Sequence, residues 1–257
     1  MARVIALANQ KGGVGKTATT VNLGAALVER GRRVLVVDLD PQGHATEGLG
    51  MAQAQLPRTL GAVLTAQAEV GRDLVVERAG GLALVASSLD HFLTEQRLVA
   101  LPGREMRLKR ALTVLGAGFD YVLIDCPPTL GALTDNALVA AAGDGSGVLV
   151  PMESDPSSVH AAGILLDQLD SLREALTIEV TILGLVLTKV DDTVVSKRVL
   201  AGLAESVPVP VLAQFRRRVK VREAWDSGRT VLEYDPQGDT AEGFRALAAA
   251  VEEAGRG

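Results

Sequence analysis

A glycine-rich segment, Lys11-Gly12-Gly13-Val14-Gly15-Lys16-Thr17, follows an apolar run at residues 4–8 and leads into an Ala/Leu-rich stretch at 17–30. Glycines let a backbone curl until successive N–H groups face one point, and the amino end of a helix adds its dipole there. Such a segment is suited to hold a phosphate. Lys16 would neutralise charge on β- and γ-phosphates, and the Thr17 hydroxyl would ligate Mg²⁺. The ordinary phosphate-loop pattern has a glycine five residues before Gly15; here that residue is Gln10, and Lys11 stands just ahead of the paired glycines. Two aspartates complete the set. Asp40 follows the apolar run 34–37 and Asp125 ends the run 121–124. Either alone could be a turn or helix-cap residue.

A scaffold must bring these groups to one edge. Short apolar runs at 4–8, 34–37, 82–86, 121–124, 147–150, 182–187 and 209–212 read as strands, and stretches at 17–30, 130–142, 157–176 and 240–254 read as helices. Strands without polar alternation, separated by helices, predict a parallel sheet buried on both faces. Such sheets bind ligands at the carboxyl ends of their strands, where the polar clusters fall. The expected fold is an α/β, single-domain P-loop NTPase, its mostly parallel twisted sheet flanked by helices on both faces.

Composition narrows the classes. The 257 residues are 47% hydrophobic and 22% charged, as in an ordinary globular chain, and no linker, repeat or low-complexity tract divides them, so residues 1–257 are expected to form one domain. Aromatic residues are only 3%, which leaves the core to Ala, Val and Leu. A formal charge of −5 argues against bulk attraction to nucleic acid or membrane, so either would need a local patch. One cysteine and three histidines exclude an internal disulfide and a thiolate- or histidine-rich metal site. No apolar run reaches the roughly 18 residues of a membrane span, and the opening run is too short for a signal peptide. A cytoplasmic protein is expected.

The variant KGGVGKT, with Asp38-Leu39-Asp40-Pro41-Gln42-Gly43, Asp125-Cys126-Pro127-Pro128, Glu223-Ala224 and Tyr234-Asp235-Pro236 in order behind it, resembles the deviant Walker A ATPases, most closely the ParA/Soj type. The resemblance runs over nearly the whole chain. It implies slow, Mg²⁺-dependent hydrolysis of ATP. Lys11 would reach across an ATP-sandwiched homodimer to the partner's phosphates, stabilising transition-state charge as an arginine finger does. Asp40 would orient or activate the attacking water, and Asp125 would hold Mg²⁺ through water. Gly12, Gly13, Val14, Gly15 and the N–H of Ala18 would complete the phosphate cradle. Three departures are visible: Ala18 stands where the family has a second threonine, His44 where it has asparagine, and Cys126 where it often has alanine. Cys126 reads as a small buried residue.

The base is less defined. Thr188-Lys189-Val190-Asp191 suggests guanine when read alone, yet the same strand end contacts adenine in ParA-like ATPases. The family's adenine-flanking segment corresponds to Phe215, Arg216 and Arg217, with Arg216 replacing a proline. ATP is the favoured nucleotide. Five of the eight residues from Phe215 to Arg222 are cationic. If extended, Arg216, Arg218, Lys220 and Arg222 share a face; if helical, they split into pairs. Such a patch suits contacts to a phosphate backbone without base readout. Aligned on Glu223-Ala224, Lys220 falls where ParA-type proteins place a DNA-contacting arginine. A second family arginine is replaced by Thr193, with Lys197 and Arg198 nearby as substitutes.

The resemblance implies a DNA-segregation ATPase, nucleoid-associated, whose ATP dimer binds nonspecific double-stranded DNA and whose hydrolysis, stimulated by a ParB-like centromere-binding protein, releases it. No helix-turn-helix region is expected before the first strand. A MinD-like membrane-positioning ATPase is the rival reading, disfavoured by an acidic carboxyl-terminal stretch with few bulky anchors. A ParA-like ATPase that moves a cargo other than DNA stays open. An iron–sulfur reductase of the same superfamily would need two cysteines per chain and is excluded.

Overall fold

Strand β1 (Arg3–Leu7) runs straight into the glycine-rich loop, and helix α1 (Lys16–Glu29) leaves it. Gly31, just past the end of α1, takes φ +80°, the left-handed conformation that closes a helix and disfavours a β-carbon. The chain then enters β2 (Val34–Asp38), and β3 (Val75–Glu77), β4 (Leu82–Val85), β5 (Tyr121–Asp125), β6 (Gly147–Glu153), β7 (Ile182–Val190) and β8 (Val211–Arg216) follow. The computed structural model describes residues 2–51, 58–78, 81–191, 209–217 and 219–255.

These strands form one sheet in the order β3-β4-β2-β5-β1-β6-β7-β8. Every pairing is parallel except β3 with β4. From the central β1 the chain passes to β2 on one side and later to β6 on the other. The loop after β1 therefore opens at a topological switch point, where ligand crevices form in such sheets.

Alternation along the strands sorts the core into two layers. Ile5, Leu7, Val34 and Val36 face α1 and the terminal helix α10 (Asp239–Ala254), meeting Leu23, Leu27, Phe244, Leu247 and Val251. Ala6, Leu35, Val37 and Ile124 face the opposite layer. That layer holds α3 (Leu60–Leu64), α4 (His91–Leu98), α5 (Arg107–Leu115), α6 (Ala132–Ala140) and α7 (Pro156–Leu176). Three short helices complete the α1 side: α2 (His44–Gly48), α8 (Val219–Asp226) and α9 (Val231–Tyr234). Among the described residues no helix is long and apolar enough to cross a membrane.

Two expectations shift. The last strand lies at Val211–Arg216 rather than 209–212, because parallel pairing with β7 resumes after a bulge and carries the chain on to Arg216 opposite Val190. The basic run is thus neither wholly extended nor wholly helical. Phe215 and Arg216 end β8, while Val219 to Arg222 begin α8.

Candidate nucleotide site

The loop from Ala8 to Gly15 holds its shape through buried side chains. Asn9, 2% exposed, donates from Nδ2 to the Pro151 carbonyl (2.8 Å) and accepts the Lys11 N–H at Oδ1 (2.9 Å). Gly13 and Gly15 adopt φ +75° and +86°, which a β-carbon would strain. Thr188, at the end of β7, donates to the Val14 carbonyl (2.8 Å), so the loop is tied from the base side as well. Lys16 is buried and donates to the carbonyls of Asn9 (2.9 Å) and Lys11 (3.2 Å). Burial lowers its pKa despite the nearby Asp125 charge. A desolvated cation with only carbonyl partners creates strong demand for an anion.

Three aspartates lie on the sheet edge below the loop. Asp125 is wholly buried, and its Oδ1 accepts from Thr20 Oγ1 (3.3 Å). Its Oδ2 is a buried oxygen with no hydrogen-bond partner among the described residues. Burial, then the neighbouring Asp38 charge, raises its pKa well above the carboxylate range, while the Thr17 hydroxyl and Lys16 pull the other way. An orphaned carboxylate oxygen beside the Thr17 hydroxyl fits Mg²⁺. This ion takes most of its ligands from phosphates and water, so no cluster of three or more His, Cys, Asp or Glu side chains is required, and the described residues hold none.

Asp40 accepts the Gln42 N–H at Oδ1 (2.9 Å), which fixes its carboxylate. Beneath it, Asp38 accepts the Asp40 N–H (3.2 Å) and both the N–H and hydroxyl of Thr46 (2.8 and 2.7 Å), and burial pushes its pKa up to about 7. The Ser87 hydroxyl donates to the Asp40 carbonyl (2.5 Å) and lies 3.2 Å from His91 Nδ1. Since the Ser87 proton is committed, the ring must donate from Nδ1, leaving its buried Nε2 without a partner. Burial pulls His91 down to about 4, so it is neutral. A buried polar column thus supports the Asp40 loop.

Lys11 is held inside its own protomer. Its ammonium bonds Asp155, the N-cap of α7, and also Glu153 (3.4 Å). Burial works against the charge of Lys11, but the two carboxylates outweigh it and raise its pKa. Burial likewise pushes Asp155 up, but Lys11, the Ser157 hydroxyl and the Ser158 N–H overcome this and leave it well below the usual range. Lys189 joins the same cluster, donating to the Gly13 carbonyl (2.6 Å) and to Glu153.

Two hollows open from the loop. One, of roughly 390 Å³, is bounded by Gly12, Gly13, Gly15 to Ala18, Asp40, Gln42, His44 and Trp225. The other lies on the base side, between Ala18, Thr188, Lys189 and the 215–217 segment, and Val221 and Phe244 line it too. Phe215 stacks on Phe244 at 4.4 Å between ring centroids, giving that hollow an apolar wall. The structure therefore brings Lys11 to Ala18, Asp40 and Asp125 together. It also gathers Thr188, Phe215, Arg216 and Arg217 on the base side. Asp191, just beyond β7, is exposed and does not line either hollow. Of the basic residues, Lys220 pairs with Glu223 (3.0 Å) and lies over the Tyr234 ring, while Arg217 and Arg222 are exposed. Lys197, Arg198 and Arg218, with Thr193, lie outside the described residues.

The family profile described as an AAA domain, AAA_31, matches residues 2–182. Over 257 aligned residues the chain is 36% identical to the sporulation initiation inhibitor protein Soj of Bacillus subtilis, covering 96% of this chain and 97% of Soj. This chain belongs to the ParA/Soj/MinD family of P-loop ATPases. It is also 39% identical to the chromosome partitioning protein ParA of Caulobacter vibrioides, over 91% of this chain and 87% of that one. Among solved structures, that of cobyrinic acid a,c-diamide synthase from Mycobacterium smegmatis, with a bound ATP analog and magnesium, matches with TM-score 0.83 and 37% identity, covering 98% of this chain and 95% of the other.

Within this ParA/Soj/MinD family member, several residues of the site escaped the sequence reading. Asp38 stands inside a quoted motif and Asn9 two residues before the glycine-rich one, and the signal for them was their position flanking Asp40 and Lys11. Glu153, Asp155 and Ser87 carry no such signal, because the end of β6 and the segments just after β6 and β4 bring them in. Cys126 is buried, as expected, and burial pushes its thiol pKa up, which makes it inert.

Proposed function

We propose that this protein is a DNA-partition ATPase. Mg²⁺–ATP bridges two protomers, the dimer holds nonspecific double-stranded DNA, and slow hydrolysis, stimulated by a ParB-like centromere-binding protein, releases it in the cytoplasm at the nucleoid. The observation that carries this reading is α8. Lys220 and Arg222 are exposed on the two flanks of this helix, while Val221 and Trp225, on the stripe between them, line the two nucleotide hollows. One rigid element therefore touches the nucleotide cleft and presents the basic surface. The ParA relative supports the partition role by its name.

In this mechanism the loop N–H groups and Lys16 receive the phosphates, exchanging the Asn9 and Lys11 carbonyls for phosphate oxygens. The Thr17 hydroxyl, with Asp125 and Asp40 through water, would hold Mg²⁺, which would supply charge neutralisation for the phosphates. Asp40, fixed by Gln42, orients the attacking water. Lys11 leaves Asp155 and Glu153 for the partner's phosphates, so hydrolysis requires the dimer. ATP binds with its adenine on the base side, between Thr188 and the 215–217 segment. Doubling the basic surface steepens both DNA affinity and its salt dependence.

The membrane reading finds no support in α10, whose Phe244, Leu247 and Val251 are buried in the core and are not free for lipid. Sedimentation velocity tests the bridge. Asp40→Ala protein should sediment as a dimer with Mg²⁺–ATP and as a monomer with ADP, and Lys11→Ala protein should stay monomeric with either. A monomer under every nucleotide would refute it.

A further inference from the structure

Trp225 is the chain's single tryptophan and closes the phosphate hollow opposite Asp40, Gln42 and His44. Its indole meets the His44 imidazole edge-on, with centroids 6.4 Å apart and planes at 68°. It also lies flat against Gly48, where a β-carbon would come within 2.5 Å of the ring. A second contact lies just beyond. Gly50, after α2, and Gly228, after α8, adopt φ +74° and +64°, and a β-carbon on Gly228 would sit 2.9 Å from Gly50 Cα. The next helix, α9, is fixed separately, because the Val231 N–H donates to Asn22 Oδ1 of α1 (2.7 Å). Helix α2 begins four residues after Asp40, directly beyond the Gln42–Gly43 turn. So α8 is docked, through one aromatic ring and three glycines, on the segment whose Asp40, Gln42 and His44 line the phosphate hollow.

We infer that Trp225 is a positioning residue that transmits nucleotide occupancy of the phosphate hollow, through His44 and α2, to the placement of α8. This inference rests on the proposed reading in that α8 is taken as the DNA-contacting helix, but the joint itself is defined without DNA. Packed interfaces of this kind have discrete arrangements rather than continuous give, so a small shift at Gln42–His44 becomes a shift of the whole helix.

The test combines hydrogen exchange over residues 219–226, tryptophan emission and calorimetric ATP affinity on the full chain. In the wild type, saturating Mg²⁺–ATP should shift the emission of Trp225 and slow α8 exchange about tenfold or more. Gly48→Ala places a methyl group under the ring; it should keep ATP affinity within about threefold yet lose the α8 protection. Trp225→Ala should lose it too, and Trp225→Phe, which keeps a ring on Gly48, should retain most of it. Emission and exchange indifferent to saturating ATP in the wild type would overturn the inference. So would Gly48→Ala and Trp225→Ala proteins protected like the wild type. DNA binding measured alongside separates the two ideas. If the wild type ignores DNA while α8 still responds to ATP, the partition reading fails and the joint stands; if DNA binds only with ATP while α8 exchange is unmoved, the reverse holds.

Discussion

Around the phosphate loop nearly every polar group is held by another, whereas along the basic segment the charges stand in solvent. Lys16 is 6% exposed with two carbonyl partners, Asp125 is wholly buried, and Asp40 rests on Asp38, Ser87 and His91. Arg217, Lys220 and Arg222 are exposed, and the cation of Lys220 has an i,i+3 carboxylate for company. The first region is preorganised for one ligand geometry. The second offers charge without fixed geometry, as a sequence-independent contact to a phosphate backbone requires. Substitutions in the first should act steeply and on chemistry, and those in the second gradually and through salt.

The largest effect should come from Lys16→Ala, which should lower ATP turnover by about 10²–10³-fold or more, read by phosphate release. Its thermal stability should hold, since the buried cation has carbonyls but no carboxylate in contact. A large loss of stability with turnover retained would break the contrast. His91 probes the column under Asp40. With its folded pKa near 4 and an unfolded value near 6.5, the unfolded chain binds more protons between those limits, so stability is lost as pH falls from 6.5 to 4. Denaturant unfolding of His91→Leu protein should lack that loss, a difference of about 3 kcal/mol by pH 4.

Lys220→Ala and Arg222→Ala should each weaken DNA binding on every duplex tested and reduce the slope of log affinity against log salt by about 0.9. A change confined to one sequence would move these residues from backbone contact to base readout. The smallest effect belongs to Asp155→Asn. The Lys11–Asp155 pair is about a third exposed, worth roughly 0.5–1 kcal/mol, so freeing Lys11 should favour the ATP dimer by only about two- to fivefold. Calorimetry of Mg²⁺–ATP binding adds a pH test. Burial raises the Asp125 pKa, so binding should release protons and tighten as pH rises.

The sequence exposed the phosphate loop because there spacing is geometry: Gly13, Gly15, Lys16 and Thr17 act within one turn of chain, and Gly31 marks the end of α1 equally locally. The inner strands were legible for a similar reason, since β2 and β5, buried on both faces, read as unbroken apolar runs. Legibility failed where long-range contacts decide. β8 extends to Arg216 because β7 pairs with it past a bulge, and β3 is set antiparallel at the edge by β4. Glu153 reaches Lys11 from 142 residues away, and Trp225 meets Gly48 from a helix with no sequence link to α2. The short helices α3 and α4, in the stretch between β2 and β5, bury too few apolar residues to show a clear period, although α5 buries Leu108, Ala111, Leu112 and Leu115 at helical spacing.

A mobility shift on nonspecific duplex DNA at low salt, with ADP, with ATP, and with ATP plus Asp40→Ala protein, tests the nucleotide gate most directly. DNA should be bound with ATP and not with ADP, and Asp40→Ala protein should bind it at least as well as the wild type. Equal binding in ADP and ATP, or none in any state while ATP is still hydrolysed, would contradict the account.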